Sequence, residues 1–335
     1  MSEYRINQIT NQAGTAGPQV AGITTFSSSS GLVMPSGATE YRGGRGRGLF
    51  GMGYSAPAET NSIEYITIST TGNALDFGDL TQARSWPSAC ASSTRGIFAG
   101  GYNTNVIGYV TISSTGNAFD FGDLTIGRYQ NSALSSSTRG LICGTFNVSS
   151  VDYITISTLG NASKFGDLTQ ADTRYNQACA SPTRGVVYCA GSPSTVTNTI
   201  NFFTIATTGN AQDFGDLTQA RTESHGGCSN SVRGLFAGGL TVNPSVLRNN
   251  IDYITIASLG DAQDFGDLVT ARQLVSACAS STRGVFGGGY ASGLSYNIIE
   301  FVTIATIGNT TDFGDLLFNR SGFAACSDAH GGLGD

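Results

Sequence analysis

Lysine is almost absent from this chain: among 335 residues only Lys164 occurs, with two histidines, His225 and His330, and one tryptophan, Trp86. Charged residues make up 12%, and the net charge of −6 leaves no clustered cations of the kind a phosphate-binding surface needs, which excludes nucleic acid as the main partner. The local exception, Arg42, Arg45 and Arg47, lies in a glycine-rich run and reads as a linker. No apolar stretch approaches the ~20 residues of a membrane helix, and the N-terminus has no basic start followed by an apolar core. Neither membrane insertion nor a secretion signal is expected. Two histidines are too few for a repeated catalytic device, and no Ser-His-Asp order or paired-carboxylate signature stands out. The sequence therefore predicts no catalytic residues, no cofactor and no metal.

What is abundant is glycine, 46 residues, with Ser, Thr and Asn filling the gaps between short apolar runs. That is how all-β proteins with many tight turns read. Phe-Gly-Asp-Leu begins at Phe77, Phe121, Phe165, Phe214, Phe265 and Phe313, and Arg-Gly begins at Arg47, Arg95, Arg139, Arg184, Arg233 and Arg283. Two independent markers agree on six units. Each unit holds four strand-length segments bounded by turn residues, for example residues 85–92, 96–100, 107–112 and the Phe-Gly-Asp-Leu segment. A period of about 48 residues with four strands fits a propeller blade, whereas a helical solenoid would carry an apolar spacing of 3.6 and a parallel β-helix has shorter coils.

A double glycine closing an apolar strand, a tyrosine-containing strand, an aromatic and an arginine, here Gly100-Gly101, Tyr109, Phe121 and Arg128, resemble the kelch repeat in order. The fourth-strand tryptophan of kelch is phenylalanine here, and the stretch to the arginine is shorter. The resemblance implies that the strand after the arginine is innermost. The run from residue 320 to 328 is then an inner strand with nothing after it, and the strand starting at Gly48 lacks one before it. We expect an all-β, six-bladed, kelch-like β-propeller over residues 47–335, its first blade closed by the C-terminal strand, behind an extended N-terminal arm of residues 1–46.

Asp-Phe-Gly at Asp76, Asp120, Asp213, Asp264 and Asp312 copies a kinase magnesium motif, but its repetition marks it as structural. Asp79 and Asp267, five residues before Arg84 and Arg272, suggest a recurring ion pair or turn hydrogen bond, with calcium at the Gly-Asn-Ala-x-Asp turns as the alternative. Cys90, Cys179, Cys228, Cys278 and Cys326 share one repeat position with Leu134, so buried free thiols are expected.

Comparing the units separates constant turns, such as Ser-Ser-Thr-Arg-Gly, from variable connections. The variable ones are the second-to-third and fourth-to-first, which share one face of a four-stranded blade. That face is the candidate binding site. Tyr54, Trp86, Tyr102, Tyr129, Tyr175, His225, Arg248, Leu274, Tyr290, Tyr296 and Phe323 fall there, giving an aromatic character suited to a sugar or protein. Alternatively, several of these side chains plug gaps between blades.

The arm has too few apolar residues for a core, so its order must come from a partner, with Ile9, Thr10, Asn11, Pro18, Val33 and Pro35 as candidate docking positions. Together with the Gly-Asn-Ala-x-Asp-Phe-Gly-Asp-Leu repeats, the arm resembles virion structural proteins of marine tailed phages, especially cyanophages. That resemblance implies a place on the virion exterior, other virion proteins of the capsid, neck or tail as partners, an oligomeric arrangement within the particle, and a host surface glycan or protein as ligand. A cellular kelch-like interaction module is the alternative, and a carbohydrate-active enzyme a third reading.

Overall fold

The computed structural model describes residues 46–171, 174–191 and 196–334, and the backbone of Phe26–Ser27 and Gly31–Leu32. The chain divides into two units, Met1–Arg45 and Gly46–Asp335. In the first, Phe26–Ser27 pairs antiparallel with Gly31–Leu32. The arm positions Ile9, Thr10, Asn11, Pro18, Val33 and Pro35, as well as Arg42 and Arg45, lie outside the described residues.

The second unit is a six-bladed β-propeller. Each blade is an antiparallel sheet, and in blades 2 to 6 its four main strands follow one another in sequence from the centre outward. In blade 2 these are Ser88–Ala91, Arg95–Ala99, Val106–Thr111 and Phe119–Asp123. The second strand is buried along nearly its whole length, because blades pack face to face on both sides of it. A strand covered on both faces carries a continuous apolar run, as Ile97-Phe98-Ala99 does, rather than an alternating one. Outer strands begin exposed and bury the phenylalanine of Phe-Gly-Asp-Leu, whose ring removes enough surface to contribute about 2–3 kcal/mol per blade. The core is accordingly divided into clusters between neighbouring blades. One joins Leu49, Ile63, Phe77 and Leu80 of blade 1 to Ala91, Phe98, Val110 and Ile112 of blade 2.

Blade 1 is closed by the C-terminal strand. Ala324–Ser327 pairs antiparallel with Arg47–Gly51, with Ala324 opposite Gly51 and Ser327 opposite Gly48.

Several of the repeated residues prove to be devices that join one blade to the next. The amide of Asp79 donates to Asn117 Oδ1 at 2.9 Å, and the amides of Gly116 and Ala118 donate to the carbonyls of Phe77 and Asp79. The Gly-Asn-Ala turn thus docks on the preceding outer strand, and all six junctions repeat this arrangement, with Asp261 as the acceptor at one and Thr310 replacing the alanine at another. Close approach explains the glycine: a Cβ on Gly78 would stand 2.5 Å from the Gly116 carbonyl oxygen, and Gly78 has φ +141°. The asparagine oxygens are engaged here, and among the described residues no three His, Cys, Asp or Glu side chains come together as a metal cluster.

Each Arg-Gly arginine reaches across to the next blade. Arg47 Nη1 donates to the Ile112 carbonyl at 2.7 Å, while its guanidinium lies 4.5 Å from the centre of the Tyr65 ring in its own blade. The glycine that follows opens a notch for an inner-strand side chain of the preceding blade: Gly140 faces Cys90 Sγ, Gly185 faces Leu134 and Gly234 faces Cys179 Sγ. All seven cysteines are free and buried, and burial pushes the Cys90 thiol up to about 12.

The expected pairing of Asp79 with Arg84 is corrected. The arginine that enters a blade turns inward to that blade's own third strand, giving Arg128–Asp152 at 2.8 Å, Arg221–Asp252 at 3.2 Å, Arg272–Glu300 at 2.5 Å, and Arg320–Glu64, all buried. The acids are reached because they occupy an inward register position in the third strand, whereas the Phe-Gly-Asp aspartate presents its amide to the next blade's turn.

Candidate interaction face

The inner strands surround an axial channel. Ala89, Ala133, Ala178, Gly227, Ala277 and Ala325 line it at equivalent positions, and these small side chains leave two small cavities of about 50 and 40 Å³.

At the constant face the channel is crossed by the C-terminal segment. His330 Nε2 lies 2.7 Å from the Ala91 carbonyl oxygen and 3.3 Å from Ser135 Oγ, while Nδ1 accepts the Gly332 amide at 3.1 Å. A carbonyl partner requires a donor at Nε2 and an amide partner requires an acceptor at Nδ1, so the imidazole is neutral. Burial lowers its pKa accordingly. The short 3₁₀ turn Gly331–Leu333 continues across the opening. Only glycine fits there, since a Cβ on Gly331 would meet the Asn230 carbonyl at 2.1 Å and one on Gly332 the Ser135 carbonyl at 1.7 Å.

The variable face is built differently. Where each fourth-to-first connection bends into the channel mouth, one residue adopts a left-handed conformation: Trp86, Gln130, Tyr175, Glu223, Leu274 and Gly322, with φ between 53° and 62°. These residues are joined by backbone hydrogen bonds from blade to blade: Trp86 N to Gly322 O at 2.7 Å, Gln130 N to Trp86 O at 3.1 Å, Tyr175 N to Gln130 O and Leu274 N to Glu223 O, both at 2.8 Å. The mouth is therefore rimmed by six left-handed residues, five of which carry a side chain, bonded to one another at four of the six junctions. Tyr129, His225 and Phe323, expected on the variable face, stand one or two positions away from these residues.

Trp86, Tyr175 and His225 come together over the axis, with ring centroids 5.8 to 6.1 Å apart in each pair. Gln130 Nε2 donates to the Tyr175 hydroxyl at 2.7 Å, and burial lowers the His225 imidazole to about 4. Tyr102 and Tyr129 form a second edge-to-face pair at 5.5 Å, with Tyr102 exposed. Tyr54 is also exposed, and Tyr290 and Tyr296 are half-buried along the hairpin of blade 6, where Tyr290 bridges Gln273. Arg248 is half-buried and donates from Nε to Thr241 Oγ1 within the blade 5 hairpin. Leu274 and Phe323 present no surface: both are buried, and Phe323 packs on Phe50 with centroids 6.2 Å apart.

The structure adds exposed apolar side chains to this face that the sequence comparison passed over, Phe146, Leu294, Leu317 and Phe318. Phe146 lies under the Arg174 guanidinium at 4.2 Å. It sits at the tip of a tight second-to-third turn, and the brevity of that turn was the available signal, since a phenylalanine in a turn has no inter-strand neighbour to bury it. Leu317 and Phe318 continue the last Phe-Gly-Asp-Leu, where other units have Thr-Gln, Thr-Ile or Val-Thr.

No protein-family model matches the chain, and no curated protein matches it by sequence. Among the described residues, no helix is long and apolar enough to cross a membrane.

Proposed function

We propose that this protein is a non-catalytic interaction module that offers the variable face of its propeller to a partner, with residues 1–46 fixing it to a larger assembly. The observation that carries the reading is the inequality of the two faces. Constant-face turns spend their polar groups on neighbouring blades, and the C-terminal segment covers the channel there. The variable face keeps the left-handed frame, the Trp86–Tyr175–His225 cluster and exposed Tyr54, Tyr102 and Phe146. Exposed aromatics on a rigid scaffold, with amide and hydroxyl groups between them, suit a sugar or a protein surface.

The sequence resemblance to marine phage virion proteins supports a specific assembly. On that reading the arm binds capsid, neck or tail proteins, and the propeller stands on the particle exterior for decoration or for adhesion to a host glycan or protein. Full-length protein is to be applied to a glycan array and to host cells, alongside cryo-electron microscopy of the particle. Saturable binding that drops at least ~10-fold in a Tyr54→Ala, Tyr102→Ala double variant with an unchanged melt is the expected result. Binding that the double variant leaves intact overturns the assignment of the face, and sugar release from the array would transfer the protein to an enzyme class.

A further inference from the structure

Arg84, Arg128, Arg221, Arg272 and Arg320 occupy one repeat position and are all at most 2% exposed. Four of them face a carboxylate from the third strand of the blade they enter, as described above. In the blade that lacks the arginine, where the sequence has Asp172, the acid is replaced by a neutral group as well: Asn201 Oδ1 accepts the Thr169 amide at 2.9 Å. Four of the five buried arginines thus have a counter-charge in the blade they enter.

Blade 2 is the exception, because its acid position is Gly108, directly before Tyr109 as Asp152 is before Tyr153. Arg84 keeps its other contacts, with Nη1 donating to the Val106 carbonyl at 2.9 Å and Nε to Met52 Sδ at 3.2 Å. Its Nη2, the nitrogen that meets the acid in Arg128 and Arg320, is buried without a partner. In blade 3 the same acid also takes the Thr125 amide at 2.9 Å and the Thr125 hydroxyl at 2.8 Å. The corresponding amide and hydroxyl of Thr81 donate to nothing in the structure. By repeat equivalence with Thr125, the amide and hydroxyl of the exposed Thr81 face the same place as Arg84 Nη2, where no side-chain acceptor stands.

A side-chain carbon fits at Gly108 without a clash. A Cβ built on Gly108 would lie at ordinary contact distance, 3.6 Å from Leu80 Cδ2, 3.7 Å from the Phe119 carbonyl and 4.0 Å from Arg84 Nη2. Asp120, the strand partner of Gly108, is no substitute. It is exposed, and its counterparts Asp76, Asp264 and Asp312 stand opposite Glu64, Asp252 and Glu300 in blades that carry the buried acid too.

We propose that blade 2 binds a small monovalent anion, a halide or a one-carbon carboxylate, between the Arg84 guanidinium and the amide and hydroxyl of Thr81, in the space beside Gly108. A buried cation without a counter-charge is strongly disfavoured, and a charge-assisted acceptor on three donors relieves it. Burial brings Arg84 down to about 10, which still leaves it cationic at neutral pH. One guanidinium calls for one negative charge, and the small space limits the ion to a few atoms.

The test uses full-length protein in sodium gluconate, replaced stepwise at constant ionic strength by chloride or by formate. Either small anion should raise the melting temperature saturably, by about 2–4 °C at saturation. A response to chloride alone identifies a halide site, one to formate alone a carboxylate site, and a response to both a site open to either. Gly108→Asp supplies the missing group from the chain, so it should melt above the parent in gluconate and ignore both anions. Arg84→Met should also ignore them. Chloride NMR line broadening by the parent, absent from Arg84→Met, decides the matter even if Gly108→Asp does not fold. A parent that neither stabilises nor broadens chloride, or a response that survives in Gly108→Asp or Arg84→Met, overturns the proposal.

Discussion

The carboxylate of Asp328 accepts the backbone amides of Gly46 and Arg47, at 2.6 and 2.9 Å, across more than 280 residues of chain. Elsewhere this contact is local: Ser92 Oγ takes the Arg95 amide at 3.1 Å within a single turn. Where the ring is closed by two distant parts of the chain, the same turn is assembled from both. Asp328→Ser should keep the bond and melt near the parent, while Asp328→Ala should lose about 1–2 kcal/mol. Removal of residues 320–335 deletes an inner strand outright and should abolish the cooperative melt; a single unshifted transition in that truncation would refute the closure.

Gly78→Ala offers a sharper structural test. The added methyl meets the Gly116 carbonyl at 2.5 Å, in a backbone conformation that already disfavours a side chain. A loss of roughly 2 kcal/mol or more is expected from chemical denaturation. Gly127→Ala is the control, since its Cβ would come no closer than 3.5 Å to any atom and its φ is ordinary. An equal loss in both would show that the turn does not dock as described.

The buried ion pairs predict non-additivity. Asp152→Asn leaves Arg128 buried without a counter-charge and should cost about 3–5 kcal/mol, whereas the double replacement Arg128→Met, Asp152→Leu should cost much less. The Asn201 blade, in which arginine and acid are both absent, is the natural precedent. Equal losses for the single and double variants in urea denaturation would contradict it.

His225 couples stability to pH. Burial depresses its folded-state pKa to about 4, below the ordinary value of 6.5, so its contribution is fully present above that ordinary value. As pH falls from 6.5 toward 4 the unfolded chain takes up a proton that the folded imidazole refuses, and stability should fall by up to about 1.4 kcal/mol per pH unit. Burial raises the Glu64 and Asp252 carboxyls, which act with the opposite sign. The comparison must therefore be with His225→Gln, whose stability-pH curve should be flatter than the parent's across this window. Parallel curves would exclude the effect.

Much of this architecture was legible because it repeats. Phe-Gly-Asp-Leu and Arg-Gly gave the number of blades, and an inner strand lacking a partner at each end of the repeats gave the closure. What could not be read was the partner of each repeated side chain. Arg128 is seven residues from Phe121, which favoured an acid in that segment, yet the turn into the next blade points it at Asp152. The mouth residues were blurred for a similar reason. The left-handed bend fixes which side chain faces the axis, so Gln130 and Gly322 hold positions that sequence reading gave to the larger Tyr129 and Phe323. Phe323 instead fills a space bounded by Gly53 and Gly288, and no local pattern marks that space.

Adjacent blades are joined at up to three radii: through the mouth residues at four of the six junctions, through the Arg-Gly arginines, and through the Gly-Asn-Ala turns at the rim. A plate held to its neighbour at one radius can hinge, and one held at two or three cannot. The spacing between variable loops is then a fixed dimension, as the spacing of teeth on a gear is. A partner must match that spacing from the start, and a change of partner has to be made by exchanging loop residues rather than by bending the ring.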